Sequence, residues 1–227
     1  MQPPRILNPH SIPVAGDDHH LDPVDPRLLT SDGLRARFGE GRPFEAPIRG
    51  DGTLAERAPS AAAVLVGLVQ RDQGLQVLLT RRAEQLRDHA GQISFPGGRA
   101  EPEDASVEAT ALREAHEEVG LPSDRVELLG RLPAYTTVTH YVVTPVVALV
   151  RPPFDLKLDP FEVAEAFEVP LDYLMTPAHH RRHLFQFDGG QRQFLSMPWR
   201  RAAPDDEYFI WGATAAMLRN LYHFLRD

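Results

Sequence analysis

The chain contains no cysteine among its 227 residues. That excludes disulfide frameworks, thiolate zinc sites and cysteine nucleophiles together. No uninterrupted apolar run approaches the ~20 residues needed to span a bilayer. Residues 1–20 lack the apolar core of a secretory signal, and the C-terminal stretch His223-Phe224-Leu225-Arg226-Asp227 carries no lipidation or peroxisomal address. A cytoplasmic protein without membrane contact is expected. Positive charge is also in short supply. Against 24 Lys and Arg stand 32 Asp and Glu, a net charge of -8, which argues against nucleic acid as a partner held by phosphate neutralisation. A small phosphate-bearing substrate remains compatible, because a metal ion can supply positive charge locally. Internal repeats and low-complexity tracts are absent as well.

The length suits one domain with an added segment. Residues 1–59 read as an irregular N-terminal arm that packs on a main domain spanning 60–227. The arm holds one short helix, Ser31–Phe38, with Ser31 or Asp32 as its cap. In the main domain, two apolar runs, Ala61–Gln70 and Gln76–Arg82, form a hairpin. A polar loop then leads to a short strand ending in a turn at Pro96-Gly97-Gly98. Ser106–Val119 is a helix, capped by Ser106 and stopped by Gly120. Strands follow around Arg125–Pro133 and Tyr141–Val150, where Pro145 implies an edge or a bulge. Phe161–Met175 starts as a helix and breaks at Pro170. His183–Trp199 reads as a hairpin turning at Gly189-Gly190, Tyr208–Gly212 as a strand, and Ala213–Asp227 as an amphipathic helix. Strands and helices mix without regular βα alternation. The expectation is an α/β protein of α+β type, with helices on the faces of a mixed sheet.

The helix Ser106–Val119 carries the chemistry. At about 100° per residue, Glu114, Glu117 and Glu118 fall on one face and Leu112, Ala115 and Val119 on another. Like charges three and four residues apart repel by about 0.2–0.5 kcal/mol per pair, so a purely structural helix would mix its signs. Three convergent hard oxygen donors suit Mg2+ or Mn2+, which binds protein carboxylates together with substrate phosphates. Gly97 and Gly98, shortly before the helix, let backbone approach a ligand closely. Arg113 can hold a neighbouring carboxylate through a fork-like pair.

This arrangement resembles the Nudix box: Gly, five residues, Glu, seven residues, then Arg-Glu-apolar-x-Glu-Glu-x-Gly-apolar. Arg113 to Leu121 matches the second half in full. The first half departs. Ala105 stands where the isolated Glu belongs and Arg99 where the Gly belongs, and Gly97-Gly98 lies one residue early. Glu103 and Asp104 are the nearest acids, so either the loop holds an extra residue or the acidic role is relaxed. The resemblance implies the Nudix fold, an α/β/α sandwich around a mixed sheet, and hydrolysis of a nucleoside diphosphate linked to another group.

The preceding stretch, Leu78 to Gly98, is similar to the signature of the coenzyme A pyrophosphatase subgroup. Leu78, Leu79, Thr80, Arg82, Arg87, Gly91, Phe95, Pro96, Gly97 and Gly98 match in register, and Ala83 replaces a Ser. Likeness extends from about Ser60 to the C-terminus and leaves out the arm. It implies hydrolysis of coenzyme A, or a derivative, to 4'-phosphopantetheine and adenosine 3',5'-bisphosphate. Glu114 and Glu118 would be metal ligands, completed by Glu117. Arg113 would support them, and a carbonyl of Gly97-Gly98 could add a ligand. Arg82 and Arg87, with Gly97 and Gly98, would bind substrate, guanidinium being suited to phosphate. Glu162 and Glu165 are candidates for the general base.

Two alternatives remain: another substrate such as ADP-ribose or a dinucleoside polyphosphate, or a non-catalytic nucleotide-sensing module. The run His179-His180-Arg181-Arg182-His183 reads as a polar loop rather than a zinc site, since neighbouring arginines repel a cation. Trp211 and Tyr208 read as core or a lid, and His116 as structural. Oligomeric state is not encoded legibly.

Overall fold

The computed structural model describes residues 6, 8–51, 59–86, 89–201 and 207–227. The N-terminal segment supplies strand β1 (Val14–Asp17) and helix α1 (Ser31–Gly39). Thr30, one residue earlier than expected, caps α1 by accepting a hydrogen bond from the Gly33 amide at 3.1 Å. Strands β2 (Ser60–Arg71) and β3 (Gly74–Arg82) form the expected hairpin over Asp72 and Gln73. Then come β4 (Ile93–Ser94), β5 (Gly97–Arg99), helix α2 (Val107–Val119), β6 (Val126–Arg131), β7 (Tyr135–Thr136) and β8 (Tyr141–Val150). The chain finishes with β9 (Val163–Pro170), the short helix α3 (Leu171–Leu174), β10 (Arg181–Phe187), β11 (Gly190–Arg200), β12 (Glu207–Trp211) and helix α4 (Gly212–Arg226).

The larger sheet is mixed and centred on a parallel pair. β2 and β8 run together from Ser60–Tyr141 to Val69–Val150. Both strands read as nearly continuous apolar runs because both faces are covered. Alternate residues go opposite ways. Ala63, Leu65, Val69, Val146, Ala148 and Val150 pack under Ala111, Ala115 and Val119 of α2. Val66, Leu68, Val147 and Leu149 face a second core that includes Leu218, Leu221 and Leu225 of α4. Helices on both faces of a mixed sheet is the expected architecture. The second, four-stranded sheet, in the order β1-β10-β11-β12, is an addition the sequence did not announce.

Three expectations are corrected. Residues 163–170 form a strand, not a helix. Their Ala and Glu content favours helix, but seven register pairs along β3 outweigh that weak propensity. Pro145 lies inside the central strand β8 rather than at an edge. It is tolerated because it falls between β6, which ends opposite Val146, and β7, which starts opposite Val143. Helix α4 is the expected amphipathic helix, and its burial runs from Thr214 to Tyr222 without a break. The turn between β10 and β11 centres on Asp188-Gly189, since Phe187 pairs with Gly190.

The N-terminal segment is built into this body. β1 extends the smaller sheet beside β10. Arg37 donates to the Phe224 carbonyl at 2.8 and 2.6 Å. The Tyr222 hydroxyl donates to the Asp22 carbonyl at 2.6 Å.

Candidate active site

The Pro-Gly-Gly segment is not a free turn. Gly97 and Gly98 belong to β5, which pairs antiparallel with Val64 and Ala63 of β2. The Leu65 amide donates to the Pro96 carbonyl at 2.8 Å, and the Ala100 amide to the Ala61 carbonyl at 2.9 Å. Glycine is required at position 97 by close approach to backbone, whereas at position 98 a side chain would displace the Glu114 carboxylate. A Cβ at position 97 would sit 2.4 Å from the Ala63 carbonyl oxygen, and one at position 98 would sit 2.5 Å from a carboxylate oxygen of Glu114.

α2 begins where Ser106 Oγ accepts from the Ala109 amide at 3.2 Å. It ends at Gly120, whose φ of 68° is left-handed. Between these stops the three glutamates take different positions. Glu118 is buried at 3 % exposure. It accepts from the Gly97 amide at 3.1 Å and faces the Arg82 guanidinium at 3.7 Å. Burial pushes its carboxyl up to about 7, although the Gly97 N–H and Arg82 oppose the rise. Glu114 lies against Gly98 and 3.0 Å from Arg113, and burial raises its pKa also. The charge of Glu162 raises both. Glu117 is turned outward, 58 % exposed, and paired with Arg113 at 2.8 Å.

The three carboxylates therefore do not converge as helical angles alone suggested. Among the described residues, no three acidic or histidine side chains form a ready coordination sphere. The donor set still suits a hard divalent cation. Two largely buried carboxylates with Glu162 beside them make an excess of negative charge that hard oxygen-binding ions relieve.

Arg113 is the clamp of the site. Its Nε and Nη2 donate to the two carboxylate oxygens of Asp104, each at 3.0 Å, and Nη2 also reaches the Arg99 carbonyl at 3.0 Å. Asp104 additionally accepts from the Glu101 amide and the Thr110 hydroxyl, both at 2.9 Å. These contacts hold its pKa well below the ordinary range, the Arg113 hydrogen bonds first. Of the two nearest acids, it is Asp104 that engages Arg113. Glu103 is exposed. One fork thus ties the loop after β5 to α2.

A cleft of about 560 Å3 opens against β5. Its lining includes Arg82, Gly97, Gly98, Arg99, Thr137 and Trp211. Arg87 lies outside the described residues. Tyr208 is core, buried against Phe167 and Trp199. Glu165 is occupied, accepting from the Tyr208 hydroxyl at 2.6 Å and lying 3.4 Å from Arg81. Glu162 is exposed, and among the described residues no hydrogen bond or ion pair restrains its carboxylate. His116 is exposed on α2. Asp51 and Arg192 also line the cleft, as an ion pair between the N-terminal segment and β11. Nothing in their local sequence signalled this, because the contact spans segments far apart in the chain.

The run His179–His183 is not a polar loop. His180 and His183 are fully buried. Arg219 donates to His180 Nδ1 at 2.8 Å, so Nε2–H donates to the Leu174 carbonyl at 2.7 Å. His183 bonds the Ile12 carbonyl and the Ser196 hydroxyl. No helix of the described residues is long and apolar enough to cross a membrane.

Residues 59–187 match the family model of the NUDIX domain, more than half of the chain. A protein of Escherichia coli O1:K1 / APEC, named uncharacterized Nudix hydrolase NudL, is 42% identical over 197 residues, covering 86% of this chain and 94% of its own. The protein of the same name from Shigella boydii serotype 18 gives the same figures. Among solved structures, the Nudix hydrolase RenU of M. smegmatis shows 24% identity, a TM-score of 0.43, and coverage of 62% of this chain and 81% of its own. The chain belongs to the Nudix hydrolase family, with that family's mixed α+β fold and its hydrolysis of nucleoside diphosphate derivatives.

Proposed function

We propose that the substrate is coenzyme A or a derivative, cleaved at its diphosphate to 4'-phosphopantetheine, or the acylated form, and adenosine 3',5'-bisphosphate. The observation that carries this reading is the stretch Leu78–Gly98, which resembles the coenzyme A pyrophosphatase signature, together with the place of Arg82, 3.7 Å from Glu118 in the same cleft as Gly97 and Gly98.

Nudix hydrolases generally use divalent metal ions. Here Glu114 and Glu118 would hold Mg2+ or Mn2+, with Glu117 able to join through water if it leaves Arg113. When bound, such an ion polarises phosphoryl oxygens and lowers the pKa of water. The protein's own groups do the positioning. The Gly97 N–H fixes the Glu118 carboxylate, and Arg113 holds Glu114 against β5. Arg82 lies where a diphosphate oxygen would meet a guanidinium. A water attacks one phosphorus, the bridging P–O bond breaks, and the second phosphate departs with that oxygen. The proton of the attacking water passes to Glu162, which is unrestrained and close to both buried carboxylates; Glu165 is tied to Tyr208 and Arg81.

The test is a panel of coenzyme A, dephospho-coenzyme A, ADP-ribose and a dinucleoside polyphosphate, incubated with Mg2+ or Mn2+ and resolved by chromatography. Coenzyme A is expected to give the two products above. Turnover of ADP-ribose without coenzyme A overturns the substrate assignment, and full turnover in excess chelator overturns the metal.

A further inference from the structure

Behind the catalytic cleft lies a second cavity of about 420 Å3. The two share Asp51, Arg192 and Gly212 in their walls, so the Asp51–Arg192 pair divides one from the other. Three arginines, Arg182, Arg192 and Arg219, and His223 line the second cavity against two acids, Asp18 and Asp51. In a chain of net charge -8, that is a local excess of cations in a concave space. Asp18 is shared between Arg219 at 3.1 Å and Arg182 at 3.5 Å, leaving neither with a carboxylate of its own. Arg219 is 7 % exposed. Desolvation lowers its pKa, and Arg182 and Arg226 push the same way. An anion would relieve both effects.

The walls come from unexpected parts of the chain. Asp18 and Asp51 belong to the N-terminal segment, and Arg192 and Arg219 to β11 and α4, all outside the residues that match the family model. Arg182 belongs to the His-Arg-rich run that the hydrolytic site does not use. Asp51 is held in the partition by backbone. Its amide donates to the Thr136 carbonyl at 2.9 Å, and its carboxylate accepts from the Val138 amide at 3.0 Å. A Cβ on Gly50 would lie 2.3 Å from the Thr136 carbonyl oxygen, so this approach needs glycine.

We propose that this second cavity, with Arg192 at its entrance, is an anion subsite that reads a phosphomonoester on the nucleoside half of the substrate, remote from the scissile diphosphate. This rests on the coenzyme A reading and deepens it. Chemistry occurs at β5 and α2, while selection for an additional phosphate occurs at the partition and beyond. Arg82 then serves the diphosphate and Arg192 the remote group.

The experiment is calorimetric titration of the full chain, in Mg2+, with adenosine 3',5'-bisphosphate and with adenosine 5'-monophosphate, for wild type, R192Q and R182Q. Because R192Q also leaves Asp51 unpaired, R182Q, at a half-exposed side chain, guards against a folding defect. Wild type is expected to favour the bisphosphate about tenfold or more, and at least one variant to lose that preference. Equal wild-type affinities, or a preference retained in both variants, overturns the subsite. Inorganic phosphate binding as tightly as the bisphosphate overturns its link to the substrate. Coenzyme A turnover without the preference rejects the subsite alone. The preference without coenzyme A turnover rejects the substrate assignment alone.

Discussion

Glu118 and His180 are both buried, yet they live in opposite circumstances. Glu118, on α2, has one amide hydrogen bond and a distant guanidinium to offset the loss of water. Its pKa is pushed up to about 7. His180, beside the smaller sheet, has both ring nitrogens satisfied. Burial lowers its pKa to about 4, with the Arg219 charge adding to the fall and the bond to the Leu174 carbonyl opposing it, so it is neutral. An ionisable group buried with incomplete partners stores a demand that a ligand can meet. One buried with complete partners is part of the frame.

The sharpest break in that contrast comes from charge removal. Glu118→Gln and Glu114→Gln should each lower kcat by about a thousandfold or more, since several kcal/mol of transition-state stabilisation depend on the metal. Thermal unfolding of the metal-free variants should show stability equal to or above wild type at neutral pH. Native Glu118 prefers its protonated form, so its stabilising effect is full below about 4.5 and is lost as pH rises toward about 7. Glu118→Gln should flatten that slope. An unchanged kcat, or an unchanged slope, would separate Glu118 from the role given to it.

Arg113→Ala should follow, with kcat down about tenfold to a hundredfold through misplaced carboxylates. Asp104→Ala should produce a similar loss, and the double variant little more, because both remove one fork. Additive losses in kinetic assays would mean that the two residues act separately.

His180→Ala tests the other side. It should cost about 2–4 kcal/mol of stability, from a deleted core side chain and an abandoned Arg219 donor. kcat per folded molecule should hold steady, as denaturant melts paired with active-site titration can show. Neutral His180 stabilises the fold above pH 6.5, and that contribution fades as pH falls toward about 4. The variant should lose this acid-side slope. A fall in kcat instead would place His180 with the working groups.

The smallest effect belongs to Arg82→Gln. A contact to the diphosphate made equally in ground and transition states should raise KM about tenfold with kcat little changed. The rise should be the same for coenzyme A and dephospho-coenzyme A, because Arg82 lies 3.7 Å from Glu118 and the remote phosphate is assigned to Arg192. A larger rise for coenzyme A would move the remote group to Arg82.

Much of the catalytic half was readable because its constraints are local. Ser106 and Gly120 bracket α2, Asp72-Gln73 closes a hairpin, and the apolar runs of β2 and β8 announce strands covered on both faces. What escaped depended on distant partners. Residues 163–170 carry helix-forming side chains but have the free edge of β3 to join. His180 and His183 sit among arginines that look like surface charge until β1, β11 and α4 close around them. Within the site, helical angles brought Glu114 and Glu118 to the right neighbourhood but could not foresee that Arg113 would draw Glu117 outward. Asp51 and Arg192 left no local trace at all.

The fork between Arg113 and Asp104 bears on how such a loop can change length. A guanidinium measures where a carboxylate arrives and is indifferent to how many residues precede it. Between Arg99 and Ser106 the chain can gain or lose a residue, or shorten Glu to Asp, while presenting the same two oxygens to the same two nitrogens. Strict residue spacing is therefore a poor ruler for this part of the site. An engineer resizing the loop should keep the distance to Arg113 and let the numbering slide.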